Sequence, residues 1–168
     1  MIAVHRLHRL VRLAKADPDK RFDRLFREVT KTDFLMLAFE QIKDNKGSGT
    51  PGVDGVTKNN WSFHHVEELA RSLWEGTYTP TPVRRVYIPK KSGKLRPLGI
   101  PTFADRVVQS ALKLILEALY EPVFFDCSHG FRPRRGCHTA LAALYDNPKV
   151  RIDWTVEGDI QGCFDSTS

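Results

Sequence analysis

The sequence predicts an α+β fold, and three observations predict it. Apolar residues recur at helical spacing through most of the chain. Two strand-like runs, Val83 to Pro89 and Leu95 to Ile100, flank the turn Lys91-Ser92-Gly93-Lys94. A last β-branched run, Val150 to Asp159, follows the final helical stretch. With 168 residues, 41% hydrophobic and 27% charged, the chain suits one core-burying domain, with or without a small helical appendage.

The elements follow in order. Val4, Leu7, Val11 and Ala14 form one helical stripe, with Arg6, Arg9 and Arg12 largely opposite, until Asp17-Pro18 stops the helix. Phe22, Leu25, Phe26 and Val29 mark a second short helix, and Thr32 is placed to cap a third, from Asp33 to about Asn45. Asn45 to Gly55 holds four glycines and reads as a loop. Its residues 47–52 match G-x-G-x-x-G, but a helix precedes it where a dinucleotide site needs a strand, and no βαβ unit follows. Ser62 caps the next helix, with Glu67 and Glu68 in its early turns and Gly76 beyond its end. The hairpin comes next. The longest helix runs from near Ala104 to before Pro122 and is apolar nearly all round, so burial on most sides is expected. A loop from Cys127 to Gly136 leads to a short helix through Tyr145, a turn at Asp146-Asn147-Pro148, and the closing strand.

Several classes are excluded. No apolar run approaches the ~18 residues of a membrane span. Met1 to Lys15 interleaves His and Arg with Leu and lacks a signal peptide's apolar centre, and Asp17, Asp19 and Asp23 argue against a transit peptide. Three cysteines, Cys127, Cys137 and Cys163, without a C-x-x-C pair suit a reducing compartment, and the cytoplasm is expected. Adjacent Cys137 and His138 are poorly spaced to join Cys127 and His129 as zinc ligands.

Net charge is +6, unevenly distributed. Residues 1–31 carry nine basic and four acidic side chains, while 83–101 carry Arg84, Arg85, Lys90, Lys91, Lys94 and Arg96 with no acid. Two such blocks suit a polyanion, although a solvated basic face fits the same charge. Lys90 and Arg96 flank the hairpin turn and suit a triphosphate clamp, the guanidinium binding bidentately and the ammonium as a point charge. Exposed hairpins also carry such residues without function. Asp159, where the last run gives way to glycine, suits Mg²⁺, with Glu157 on the same strand face. A lone Asp at a strand end is more often a turn residue.

Five ordered segments narrow these alternatives: Asn45-Lys46-Gly47 with Pro51-Gly52-Val53-Asp54-Gly55; Arg85 to Lys90; Leu95 to Thr102; Ser128 to Gly136; and Gly158-Asp159-Ile160-Gln161-Gly162-Cys163-Phe164-Asp165. The series resembles the reverse transcriptases encoded by bacterial group II introns, which also act as maturases. The resemblance implies right-hand polymerase fingers with an incomplete palm. Its divisions are a basic helical extension over 1–31, fingers over 32–149 and the first palm strand over 150–168.

By the same resemblance, Asp159 is the catalytic, metal-binding carboxylate, and the Ile160 carbonyl assists a second Mg²⁺. Lys90 and Arg96 hold the triphosphate, Ile88 packs on the templating pair, and Phe164 excludes a ribose 2′-OH. The loop with Asn45, Lys46 and Gly47 covers the template, and Gly130, Phe131 and Arg132 contact it. Arg84 and Arg85 of the second basic block join these template or RNA contacts. Implied partners are group II intron RNA, an RNA template with a DNA primer, and deoxynucleoside triphosphates. A membrane is not among them, and a homodimer is left open. The family's Tyr-x-Asp-Asp hairpin, thumb, DNA-binding and endonuclease parts have no match. The sequence is therefore expected to be an N-terminal portion, inactive alone. The competing readings are a non-catalytic intron-RNA-binding module and an inactive remnant.

Overall fold

Helical periodicity becomes six α-helices among the described residues, and the two strand-like runs become one antiparallel hairpin. The computed structural model describes residues 2–91, 93–146 and 153–160. The chain divides into two compact units, Met1–Phe124 and Phe125–Ser168.

In the first unit, α1 (Ile2–Ala16) buries Ala3 and Ala14. Leu7 packs against the core, while Val4 and Val11 stay 39% and 38% exposed, so the buried stripe is rotated from the predicted one. Arg6 explains the rotation. Its Nη2 donates to both carboxylate oxygens of Asp33 at 2.6 and 2.7 Å, and its Nε lies 2.9 Å from Glu28 Oε2, drawing this side of α1 inward. The second helix, α2, is only Phe26–Val29. Arg24, at φ 58, interrupts the helical path that the Phe22 stripe predicts. Helix α3 spans Thr32–Ile42, so Thr32 is its first residue rather than its cap; Lys31 takes the cap position without a side-chain bond.

Helix α4 (Phe63–Glu75) buries Val66, Leu69, Ala70 and Leu73 on one face. Ser62 precedes it as predicted, and its N–H donates to His65 Nδ1 at 3.1 Å. Gly76, at φ 72, ends the helix in the left-handed conformation that glycine enters without a Cβ penalty. Strands β1 (Arg84–Pro89) and β2 (Leu95–Ile100) pair antiparallel. Helix α5 (Phe103–Tyr120) crosses α1 and α3 and presents nine buried residues. As its composition predicts, α5 is buried or half-buried on most sides; one stripe, with Leu112, Leu116 and Tyr120 at 43%, 51% and 54% exposure, stays open.

Phe103 is at the core's centre, with Phe39 edge-on at 6.1 Å and Trp61 at 5.2 Å between ring centroids. Around it Phe34, Leu35, Val29, Val66 and Val107 are fully buried. Truncating such a buried ring costs about 3–5 kcal/mol.

In the second unit, α6 (Cys137–Tyr145) follows a loop and buries none of its residues. The predicted strand from Val150 to Asp159 is not found in its described part, since 153–160 has no regular structure. The described sheet contains β1 and β2 alone, and a strand forms only where a neighbour supplies a hydrogen-bonding ladder. Among the described residues, no helix is long and apolar enough to cross a membrane.

Candidate nucleotide and nucleic-acid interface

The hairpin sets Ile88 directly opposite Arg96. Directly opposed residues project to the same face, and Lys90, two positions beyond Ile88, continues that face into the turn. The turn closes through Lys90 N–H donating to the Lys94 carbonyl at 2.8 Å and Gly93 N–H donating to the Lys90 carbonyl at 2.9 Å. Gly93 has φ 78, a conformation glycine adopts freely. Ile88 is 46% exposed, and the Lys90 and Arg96 side chains have no acidic partner among the described residues. One face thus offers an apolar platform between a guanidinium and an ammonium. Arg85 is exposed on the other face, opposite Gly99.

Arg84, an expected template or RNA contact, is also bonded within the protein. Its Nε and Nη2 donate to the Pro51 carbonyl at 3.1 and 2.9 Å, tying β1 to the glycine-rich loop. Arg106, which no sequence motif singles out, holds the same loop from α5. Its Nη1 donates to the Gly47 carbonyl at 2.7 Å and its Nη2 to the Thr50 carbonyl at 2.8 Å, while its guanidinium lies 5.0 Å over the Phe103 ring. Burial lowers the Arg106 pKa from its ordinary value, and the Asp54 carboxylate opposes that shift. Gly52 packs on the start of α5, where an added Cβ would stand 2.7 Å from Thr102 Cα. The loop is therefore clasped at its base, with Asn45, Lys46 and Gly47 exposed along it.

Asp105, only 5% exposed, fastens the approach to β1. It accepts from the Tyr78 hydroxyl, from Thr81 N–H at 3.3 Å and from the Thr102 hydroxyl at 2.6 Å, and its own N–H donates to Thr102 Oγ1 at 3.2 Å. Thr102-x-x-Asp105 is a helix-cap signature visible in sequence, but its reach back to Tyr78 is not. Burial foremost, then the hydrogen bond to Asp105 and that residue's charge, raises the Tyr78 pKa well above its ordinary value.

In the second unit, Gly130 and Phe131 stand at the tip of a loop, with Phe131 fully exposed at φ 58. Such a conformation strains a bulky residue. Arg132 Nη1 donates to the Phe125 and Ser128 carbonyls, both at 2.8 Å, so this predicted template contact braces its own loop. Arg135 does the same through the Asp126 carbonyl and carboxylate at 2.5 and 2.9 Å.

Asp159 and Ile160 are exposed in the irregular 153–160 segment, and Phe164 lies outside the described residues. The strand face that would join Glu157 to Asp159 is therefore not formed. Among the described residues no three His, Cys, Asp or Glu side chains gather to hold a metal ion. Asp159 has the hard oxygen donors that Mg²⁺ prefers, but the described donor set is too small to hold the ion. Cys127 and Cys137 are free and exposed.

Residues 88–168 match the family described as Reverse transcriptase (RNA-dependent DNA polymerase). Over 161 residues the chain is 46% identical to the group II intron-encoded protein LtrA of Lactococcus lactis subsp. cremoris, covering 95% of this chain and 27% of that protein. Protein YkfC of Escherichia coli is 41% identical over 173 residues, covering 99% and 45%. An uncharacterized 91 kDa protein in the cob intron of Schizosaccharomyces pombe is 38% identical over 165 residues, covering 97% and 20%. The chain thus spans less than half the length of each of these relatives.

Proposed function

Because the chain belongs to the group II intron-encoded reverse transcriptase and maturase family, we propose that it forms the extension, fingers and palm entry of an RNA-directed DNA polymerase. The observation that carries this reading is the pairing of Ile88 with Arg96 across the hairpin, next to the turn that begins at Lys90. The extended arms and convergent charges suit a nucleotide whose base stacks by the apolar residue while its triphosphate meets the two cations. The loop at Asn45, Lys46 and Gly47 covers the template. Gly130, Phe131 and Arg85 add contacts to it, and residues 1–31 bind intron RNA.

In this reading the boundaries are 1–31, 32–149 and 150–168, and Phe164 discriminates deoxynucleotides from ribonucleotides. A divalent ion, Mg²⁺, supplies Lewis acidity when bound. Asp159 and the Ile160 carbonyl contribute to holding it, and further carboxylates are required. The residues' own work is otherwise positional: Arg96 and Lys90 orient the triphosphate, and Arg84 and Arg106 hold the loop.

The test uses the chain joined in cis to the palm of a reverse transcriptase of this family. Arg96→Ala is expected to cut the nucleotide-dependent rate steeply while primer–template affinity changes little. Arg96→Lys retains part of the rate, because an ammonium cannot reproduce bidentate binding. Equal losses of rate and primer–template affinity would assign Arg96 to folding or template binding instead.

A further inference from the structure

A cleft between α1 and residues 22–31, closed on one side by α4, shares no lining residue with the hairpin or the glycine-rich loop. It has a volume of about 570 Å³. Its floor is apolar, with Leu10, Leu13 and Phe22, and its rim carries Arg9, Arg24, Arg27 and Trp74. Trp74 is 68% exposed, an unusual position for the largest apolar side chain. The three arginines are exposed, and their guanidiniums have no ion pair or hydrogen bond among the described residues. Of the two acids in the cleft, Glu28 is already engaged by Arg6 at 2.9 Å and Lys31 at 2.7 Å, leaving Asp23 as the one opposing charge. Arg24 adopts φ 58, a conformation that a long side chain enters at a cost.

We propose that this cleft receives one unpaired nucleotide of a single-stranded RNA, its base on the Trp74 indole over the apolar floor and its flanking phosphates on Arg9, Arg24 and Arg27. The proposal rests on the reading of the chain as an RNA-binding protein and adds where, and in what form, the RNA is held. An aromatic face ringed by guanidiniums matches the alternation of base and phosphate along a single strand. A duplex keeps its bases stacked inside and cannot present one to the indole. An acidic peptide uses the arginines but leaves the indole without a flat partner.

The experiment titrates the full 168-residue chain with a short labelled oligouridylate and with an RNA duplex of the same length. Trp74→Ala is expected to weaken oligouridylate binding about tenfold, the order of one lost base stack, and to leave duplex binding unchanged. Trp74→Phe keeps most of the affinity, since a ring remains. Arg24→Gly is expected to weaken oligouridylate binding while raising thermal stability, because glycine accepts the left-handed conformation. That combination separates a ligand role from a folding role. Oligouridylate binding that persists unchanged in both Trp74→Ala and Arg24→Gly overturns the cleft and leaves the RNA-binding reading standing. Equal losses for single strand and duplex also overturn it. Displacement of oligouridylate by polyglutamate, with the same dependence on Trp74, reassigns the cleft to an acidic peptide. No binding of either RNA at low salt overturns the proposal together with the reading beneath it.

Discussion

Arg84 holds the Pro51 carbonyl through two N–H groups, at 3.1 and 2.9 Å. That contact joins the first residue of the hairpin to a loop 33 positions earlier. It makes the geometry of the loop depend on the hairpin, and Arg106 makes it depend on α5.

Removing either arginine should release the loop. Arg84→Ala or Arg106→Ala is expected to cost about 1.5–3 kcal/mol, the range for hydrogen bonds to a charged donor. Denaturant titration measures the loss. Hydrogen exchange should quicken at Thr50 and Lys58, whose N–H groups bond within the loop to Gly47 and Ser48. Unchanged exchange at both amides would show that the loop holds itself.

Gly52 tests the same clasp from the steric side. A Cβ there meets Thr102 Cα at 2.7 Å, against backbone that cannot swing away. Gly52→Ala is expected to destabilise by about 1–3 kcal/mol, as overpacking does. A neutral result by thermal melting would mean the loop has room to lift from α5.

Alkaline pH should expose the Tyr78–Asp105 contact. The folded state raises the Tyr78 pKa above its unfolded value of about 10. Folded protein then keeps a proton that unfolded protein releases, so the contribution is complete below about pH 10 and is lost as pH rises above it. Tyr78→Phe should lower stability at neutral pH and flatten this alkaline decline. A decline of equal steepness in the variant would place its origin elsewhere.

RNA binding should be salt-dependent through the exposed cations of α1 and the segment after it. Arg12→Gln, Lys15→Gln and Arg21→Gln together should reduce the slope of log K against log salt by about 0.7 for each single-strand phosphate that is no longer neutralised. Deleting 1–31 is a poorer test, because Ala3 and Val29 belong to the core and their removal lowers stability as well. An unchanged slope in the triple variant removes these cations from the RNA interface.

Local chemistry made much of the fold legible. The hairpin declared itself through two strand-like runs around a glycine turn, and Gly76 marked the end of α4. Long-range contacts were not legible: Arg106 meets Gly47 and Thr50 across 59 and 56 positions, and nothing in its own neighbourhood distinguishes it from an ordinary helix arginine. The rotation of α1 is illegible for a related reason: Arg6 lies opposite the apolar stripe, and its partners, Glu28 and Asp33, lie on other elements. The described part of the predicted last strand, from Asp153 to Asp159, shows the limit of β-propensity, which describes a side chain's fit to a sheet and supplies no neighbouring strand. At the candidate site, Ile88 and Arg96 stand opposite each other as the hairpin register requires, whereas the carbonyl partners of Arg84 and Arg132 are revealed by no motif.

RNA-templated primer extension in Mg²⁺, run on the 168-residue chain and on the same chain joined to a family palm, tests the central claim most directly. Two metal ions about 3.5–4 Å apart need several carboxylates, and Asp159 belongs to no metal-holding group among the described residues. The expected result is no extension by the chain alone, extension with the palm in cis, and its loss in Asp159→Asn. Asp159-dependent synthesis by the chain alone, or a joined protein that binds primer and template yet extends nothing, would contradict the account.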